Sequence, residues 1–235
     1  MQTVALLTGR GNNALKNKNI REVLGKPLLV YPAEAARQCN FIKEFFISSD
    51  DDKILAIAHD HGFRKIKRPG ELGRPDSKHV DVIMHALGVM KKEKVEPDIL
   101  VVLLANTVCV KKDWIDACVM EIIKDPTISA VVPVVSDLDH HPYRAKREGK
   151  DGFLESFFDF GDKEISSNRQ NIGGCYFLCH NFWVLNIKES IYGRNGEPPW
   201  NFMGEKVKPY ELDWSIDVHT EEDLISSENW VKANL

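Results

Sequence analysis

The sequence predicts a three-layer α/β fold built on a mostly parallel sheet. Through residue 135, short apolar runs alternate with stretches whose apolar residues fall at helical spacing, the pattern of right-handed βαβ units. Ile99 to Leu104 is an unbroken apolar run with no polar alternation, as a central strand covered on both faces requires. A chain of 235 residues that is 43% hydrophobic can bury the core of one such domain, so residues 1–235 are read as a single unit.

Taken in order, Val4 to Thr8 is a buried strand, and Gly9 to Lys18, rich in Gly and Asn, is a loop. Gly25-Lys26-Pro27 opens a helical stretch through Gln38. Pro27 suits a first helical position, while Pro32 delays or kinks the helix. Phe45 to Ser48 is a second strand. Ser49 with Asp52 reads as a capping box for a helix carrying Ile54, Ile57 and Ala58 and stopped at Gly62. Phe63 to Ile66 is a short third strand. Val80, Ile83, Met84 and Leu87 mark a helix before the central strand, and Asp113 caps the next, which bears Ile115, Cys118, Val119 and Ile122. Ala130 to Val135 is again a buried strand.

Beyond it the texture changes. Residues 136–170 are polar, dense in His and Arg, and aromatic from Gly152 to Phe160, so they are read as an excursion from the sheet, a hairpin arm or dimerisation element. Ile172 to Leu178 returns to strand, Gly193 to Gly204 is an exposed loop, and Glu221 to Val231 is a closing helix. Trp200 and Phe202 either cover a pocket or anchor that loop, the second being the safer reading.

Composition excludes several classes of function. The net charge is −4 with no basic stripe, which argues against a nucleic-acid partner; any polyphosphate must meet locally clustered cations. No apolar run approaches the roughly 20 residues of a membrane span, and Met1 to Leu7 lacks the features of a signal peptide. Five scattered cysteines without a CxxC read as reduced, buried thiols of a cytoplasmic protein.

Ligands of open parallel sheets bind beyond the carboxyl ends of the strands. After the first strand come Gly9, Arg10, Gly11, Asn12 and Asn13, then Lys16, Lys18 and Asn19. Glycines let backbone N–H groups turn toward an anion, and Arg and Lys supply the charge a triphosphate needs. Gly9-x-Gly11-x-x-Ala14 also matches a relaxed dinucleotide fingerprint. The following Lys16 to Asn19 has no apolar helix face, however, and no acid stands about 20 residues on at the end of a second strand, so NAD(P) is the weaker reading.

The segments Leu6 to Gly11, Lys18-Asn19-Ile20 and Leu24 to Leu28 resemble the start of the acylneuraminate cytidylyltransferases. The resemblance continues in order through Ser48 to Asp51, Arg68-Pro69 with Glu71-Leu72, Val80 to Ile83 with His85 to Leu87, and Ser215 to Asp217 with Glu222 to Leu224. It implies a nucleotide-diphospho-sugar transferase-like, Rossmann-like fold. It also implies a reaction that joins CMP from CTP to an acidic sugar of the nonulosonic acid or Kdo type and releases pyrophosphate. By the same resemblance the loop with Gly9, Gly11, Asn12 and Asn13 holds the phosphates, and Arg10 and Lys18 neutralise them as the catalytic cations. Asn19, Arg68 and His79 hold the nucleotide; Asn106, Arg169 and Tyr176 face the sugar acid. Asp217 and His219 occupy the positions of the metal pair for Mg²⁺, or Mn²⁺ in its place. The excursion is expected to build a homodimer.

The chain departs from that family pattern at several points. The loop is one residue shorter, with Asn13-Ala14 for Ser-Lys; Ala105 replaces a glutamine after the central strand; His79 stands for a serine, and His219 for the second Asp. These changes point to an atypical branch with a different sugar. A related nucleotidyltransferase with another acceptor and an inactive, nucleotide-binding regulatory homologue stay as alternatives.

Overall fold

The computed structural model describes residues 1–11, 13–193 and 195–235; Asn12, Arg194 and the side chain of Arg169 lie outside the description. Strand β1 (Thr3–Thr8) leads into the predicted loop. The loop ends in a 3₁₀ turn at Lys18–Ile20, followed by a small hairpin of β2 (Glu22–Val23) and β3 (Lys26–Pro27). This hairpin corrects the expected helix start. Leu24 (φ 50°) and Gly25 (φ 76°) give the two positive φ values of a two-residue hairpin connection, so Pro27 pairs with Glu22 in a strand. Helix α1 (Val30–Arg37) begins later, and Pro32 falls in its first turn, where a missing N–H breaks no helical bond.

Next come β4 (Ile42–Ser49), α2 (Asp52–Asp60) and β5 (Arg64–Lys67). The cap of α2 is Asp51, whose carboxylate accepts from the N–H groups of Lys53 and Ile54; Ser49 instead accepts from the Asp51 N–H at 3.0 Å. Helix α3 (His79–Lys92) precedes the fully apolar β6 (Ile99–Leu104), and α4 (Lys112–Lys124) follows it. Asp113 does not cap α4. The cap position is Lys111, and Asp113 lies inside the first turn, where its charge favours the helix dipole. The remaining elements are β7 (Ala130–Ser136), the hairpin strands β8 (Lys146–Glu148) and β9 (Leu154–Ser156), β10 (Tyr176–Leu178), β11 (Phe182–Asn186), β12 (Val207–Glu211) and α5 (Glu221–Asn234).

The main sheet runs β7-β11-β6-β1-β4-β5. Strands β5, β4, β1 and β6 are parallel neighbours, while β10 and β11 lie end to end along one edge of β7 and run against it. Strand β12 pairs in parallel with the other edge of β7, where Pro209 is tolerated. The strand expected from Ile172 shortens to β10, because Gly173 (φ 86°) and Gly174 interrupt it.

Alternate residues of each strand feed two cores. Ala5, Leu7, Ile47, Val101 and Leu103 face α1, α2 and α4; Val4, Leu6, Phe46, Leu100 and Val102 face α3 and the loop after β11. Phe202 is buried in that second core and Trp200 packs against it, so both anchor the 193–204 loop. A third cluster joins Val23, Leu28, Val108, Val218 and Leu224 of α5. All five cysteines are free, and four are buried. No helix among the described residues is long and apolar enough to cross a membrane.

The 136–170 excursion carries the β8–β9 hairpin and leaves Phe153 (72% exposed), Leu154 (76%), Phe157 and Phe158 without cover in the single chain.

Helix α5 starts from a capping box: Asp223 N–H donates to Thr220 Oγ1, and Asp223 Oδ2 accepts from the N–H groups of Thr220 and His219. Thr220→Ala is expected to cost about 1 kcal/mol, read as a lower urea midpoint with an unchanged slope.

Candidate functional site

Strands β1, β4, β5 and β6 end on one edge of the sheet, and a cavity of about 260 Å³ opens there. The exit from β1 is crowded. Gly9 N–H donates to Ser48 O at 3.3 Å, and a Cβ on Gly9 would lie 2.9 Å from Ala105 Cβ and 3.1 Å from Asn19 Nδ2. A Cβ on Gly11 would meet the Asp51 side chain at 2.7 Å. Only glycine lets the loop pass between the ends of β4 and β6. The Gly11 N–H, read from sequence as an anion donor, gives its hydrogen to Asp50 Oδ1 at 3.0 Å. Side chains therefore carry most of the charge that this loop presents.

Two asparagine amides set the position of Arg10. Its carbonyl accepts from Asn13 Nδ2 (2.7 Å) and Asn19 Nδ2 (2.9 Å), and its Nε donates to Asn13 Oδ1 (3.2 Å). Lys18 is only 8% exposed, and burial lowers the pKa of its ammonium; Asp217 opposes that shift and Arg10 adds to it. Arg68, at the end of β5, is buried and donates to Ser48 O (2.8 Å), Ser48 Oγ (3.3 Å) and Leu72 O (3.4 Å). Burial first, and then Arg10, bring its pKa down to about 10, so it stays charged at neutral pH. None of these three cations has a carboxylate within ion-pair distance among the described residues.

His79 opens α3 and lines the same cavity. Its Nε2 lies 3.2 Å from Thr8 Oγ1, and that hydroxyl donates to Leu103 O, also at 3.2 Å. A carbonyl can only accept, so the threonine hydrogen is committed and His79 must donate through Nε2–H. The ring stands edge-on to Trp183 at 5.0 Å. Burial, then the charge of Arg68, lower its pKa to about 4.

Asp217 sits on the loop between β12 and α5. Thr107 Oγ1 donates to Ile216 O (2.7 Å), and Val218 N–H to Asn106 O (2.9 Å), so this loop is tied to the exit from β6. Asp217 Oδ2 lies 3.0 Å from His219 Nε2, while Oδ1 is buried with no partner among the described residues. Burial raises the pKa of this carboxyl, against the pull of His219 and Lys18. A buried carboxylate oxygen left open beside a lysine fits a hard cation that brings its remaining oxygens from phosphates and water. The described residues hold no cluster of three or more His, Cys, Asp or Glu suited to a metal by themselves.

The structure thus gathers Gly9, Arg10, Asn13, Lys18, Asn19, Arg68, His79 and Asn106 around one cavity. Gly11 supports the loop from behind. Asp217 lies within electrostatic reach of Lys18, and His219 is held to Asp217. Tyr176 stands apart on β10, 52% exposed, with its hydroxyl 3.5 Å from Glu211 Oε2. Asn12 and the Arg169 side chain lie outside the described residues. Thr8, Arg74, Pro75, Ser77 and Val82 join the cavity without having been singled out as site residues. For Arg74, Pro75 and Ser77 the signal was the Gly- and Pro-containing segment 70–78, which follows a parallel strand at the ligand edge.

Residues 11–146 match the cytidylyltransferase family. Over 230 residues the chain is 23% identical to an N-acylneuraminate cytidylyltransferase of Streptococcus agalactiae serotype V, covering 96% of this chain and 52% of that protein. Over 239 residues it is 26% identical to the CMP-N,N′-diacetyllegionaminic acid synthase of Legionella pneumophila, covering 100% of this chain and 98% of that one. A CMP:2-keto-3-deoxy-manno-octonic acid synthetase solved with CTP superposes with a TM-score of 0.71 at 16% identity over the full length of both chains, a likeness of fold. The chain spans about half the length, or less, of the N-acylneuraminate relatives it matches.

The depressed pKa of His79 has a consequence for stability. An unfolded imidazole titrates near 6.5 and the folded one at about 4, so between these values the unfolded chain binds the extra proton. The contribution is full above pH 6.5 and is lost as pH falls toward 4. Urea unfolding at pH 7 and pH 5 should show the wild type losing about 2 kcal/mol more than His79→Gln, which keeps an N–H donor for Thr8 but does not titrate.

Proposed function

The chain belongs to the cytidylyltransferase family, and we propose that it joins the CMP part of CTP to an acidic sugar of the nonulosonic acid or Kdo type, releasing pyrophosphate. One observation carries this reading. Arg10, Lys18 and Arg68 converge on a cavity at the carboxyl edge of the sheet with no carboxylate within ion-pair distance among the described residues, in a chain of net charge −4. Desolvated cations left unpaired are costly, and a polyphosphate supplies the missing charge.

In the proposed reaction a hydroxyl of the sugar acid attacks the α-phosphorus in line. A sugar oxygen–phosphorus bond forms, the bond from the α-phosphorus to the bridging oxygen breaks, pyrophosphate leaves, and the hydroxyl proton passes to solvent. Negative charge grows on the leaving group. Arg10, fixed by Asn13 and Asn19, and the buried Lys18 are placed to offset it without rearranging. Asp217 is the residue that would hold Mg²⁺, or Mn²⁺ in its place, which when bound supplies further charge neutralisation at the phosphates. In this reading His219 orients Asp217 through their 3.0 Å contact. Asn106 lies where the acceptor would enter, beside the exit from β6.

The uncovered phenylalanines and Leu154 of the excursion support assembly as a homodimer through that arm, and the five free thiols support a reducing, cytoplasmic setting.

The test is pyrophosphate release from each NTP with Mg²⁺ against a panel of nonulosonic acids and Kdo. Release with CTP and one sugar acid is expected. Arg10→Ala and Lys18→Ala should each lower kcat by about 100-fold or more. Asp217→Asn should remove the dependence on divalent cation. Nucleotide binding without turnover across the panel would favour a regulatory homologue, and no NTP binding would sink the proposal. In sedimentation, Phe153→Ser combined with Leu154→Ser should turn a dimer into a monomer.

A further inference from the structure

The cavity has two unlike halves. Around Arg10, Asn13 and Lys18 it is cationic; on the side of the segment between β5 and α3, Leu72 and Pro75, with Val82 of α3, add apolar surface beside Arg74 and Ser77. Apolar surface beside polar edge groups suits a flat heteroaromatic ring, and among those polar groups His79 is the one whose ring is fixed by a bond to the sheet. Three facts fix what that side chain offers. Its Nε2–H is spent on Thr8, whose own hydrogen is committed to Leu103 O. Its Nδ1 therefore carries a lone pair and no hydrogen. That lone pair has no protein partner among the described residues, and Nδ1 is not among the unpaired side-chain atoms cut off from solvent.

We propose that His79 reads the pyrimidine base: Nδ1 accepts the 4-amino N–H of cytosine and repels the 4-oxo oxygen of uracil. The inference rests on the nucleotide reading of this cavity and adds a residue that selects among nucleotides. Protonation would turn Nδ1 into a donor and erase the distinction. Burial and the neighbouring charge of Arg68 both oppose that protonation. The Thr8 bond and the edge-on contact with Trp183 hold the ring in place, so the acceptor is presented in one orientation.

The experiment compares kcat and KM for CTP, UTP and the pyrimidin-2-one ribonucleoside triphosphate, which carries hydrogen in place of the 4-amino group, in the wild type and in His79→Gln. The glutamine amide keeps a donor for Thr8 but cannot place an acceptor where Nδ1 stands. In the wild type, removal of the 4-amino group should raise KM about tenfold, and UTP should fare worse still. In His79→Gln the preference for CTP over UTP should fall at least tenfold, through the KM for CTP, and the pyrimidin-2-one analogue should lose nothing further. A variant that keeps the wild-type CTP-to-UTP ratio would overturn the inference. So would one that weakens all three nucleotides equally, since His79 would then touch ribose or phosphate. Calorimetry of CTP binding to the wild type separates the two levels: no binding sinks the nucleotide reading itself, whereas binding with an unaltered ratio in the variant sinks only the role of His79.

Discussion

The crowding where β1 leaves the sheet governs the rest of the site. Thr8, Gly9 and Arg10 follow one another through a gap bounded by Ser48, Ala105 and Asn19, and each is fixed by a different neighbour. Thr8 ties Leu103 to His79, Gly9 gives up a side chain so that β4 and β6 can close on it, and Arg10 is held by its carbonyl rather than by its charge. The guanidinium is thereby positioned by neutral amides and keeps its charge for whatever enters. The same economy appears at Arg68, whose protein partners are two carbonyls and a hydroxyl.

This arrangement sets stability against function. A lysine that is nearly buried and an arginine that is buried, both without ion-pair partners among the described residues, raise the free energy of the folded chain. Asp217 adds to this with an unpaired carboxylate oxygen. The two buried cores on either face of the sheet offset that cost, and the loops carrying the charges are stitched to the strands through Thr107, Val218 and the α5 capping box. The strain is confined to the edge where chemistry would occur, as preorganised sites require.

Much of this was legible in the residues. The alternation of apolar runs and helical spacing gave β1, β4, β6 and β7 with their helices, because unbroken apolar runs this short, rich in Val, Ile and Leu, are strands buried on both faces rather than helices. The Gly9 to Asn19 segment announced a cationic loop. The β2–β3 hairpin was not legible, since its turn is Leu24-Gly25 rather than Asn-Gly, and a leucine at positive φ leaves no composition cue. Strands β11 and β12 were passed over because an antiparallel return and a Pro-containing edge strand break the βαβ rhythm. Helix caps shifted by a residue or two, to Asp51 and Lys111, where several polar residues compete for one position. The contribution of Arg74 and Ser77 depends on how a loop folds over the sheet edge, which local pattern does not encode.

The antiparallel pairing of β10 with β7 has a wider meaning. Ser136 and Tyr176 are register partners, so the exposed arm leaves the sheet and re-enters it on adjacent strands. Its two ends stay about 5 Å apart whatever lies between them. The arm can lengthen, shorten or be exchanged for another without moving β1, β4, β5 or β6, which carry the charged cavity. Evolution can therefore treat the two parts as separate modules, holding the donor pocket fixed while it redraws the contacts made by the arm.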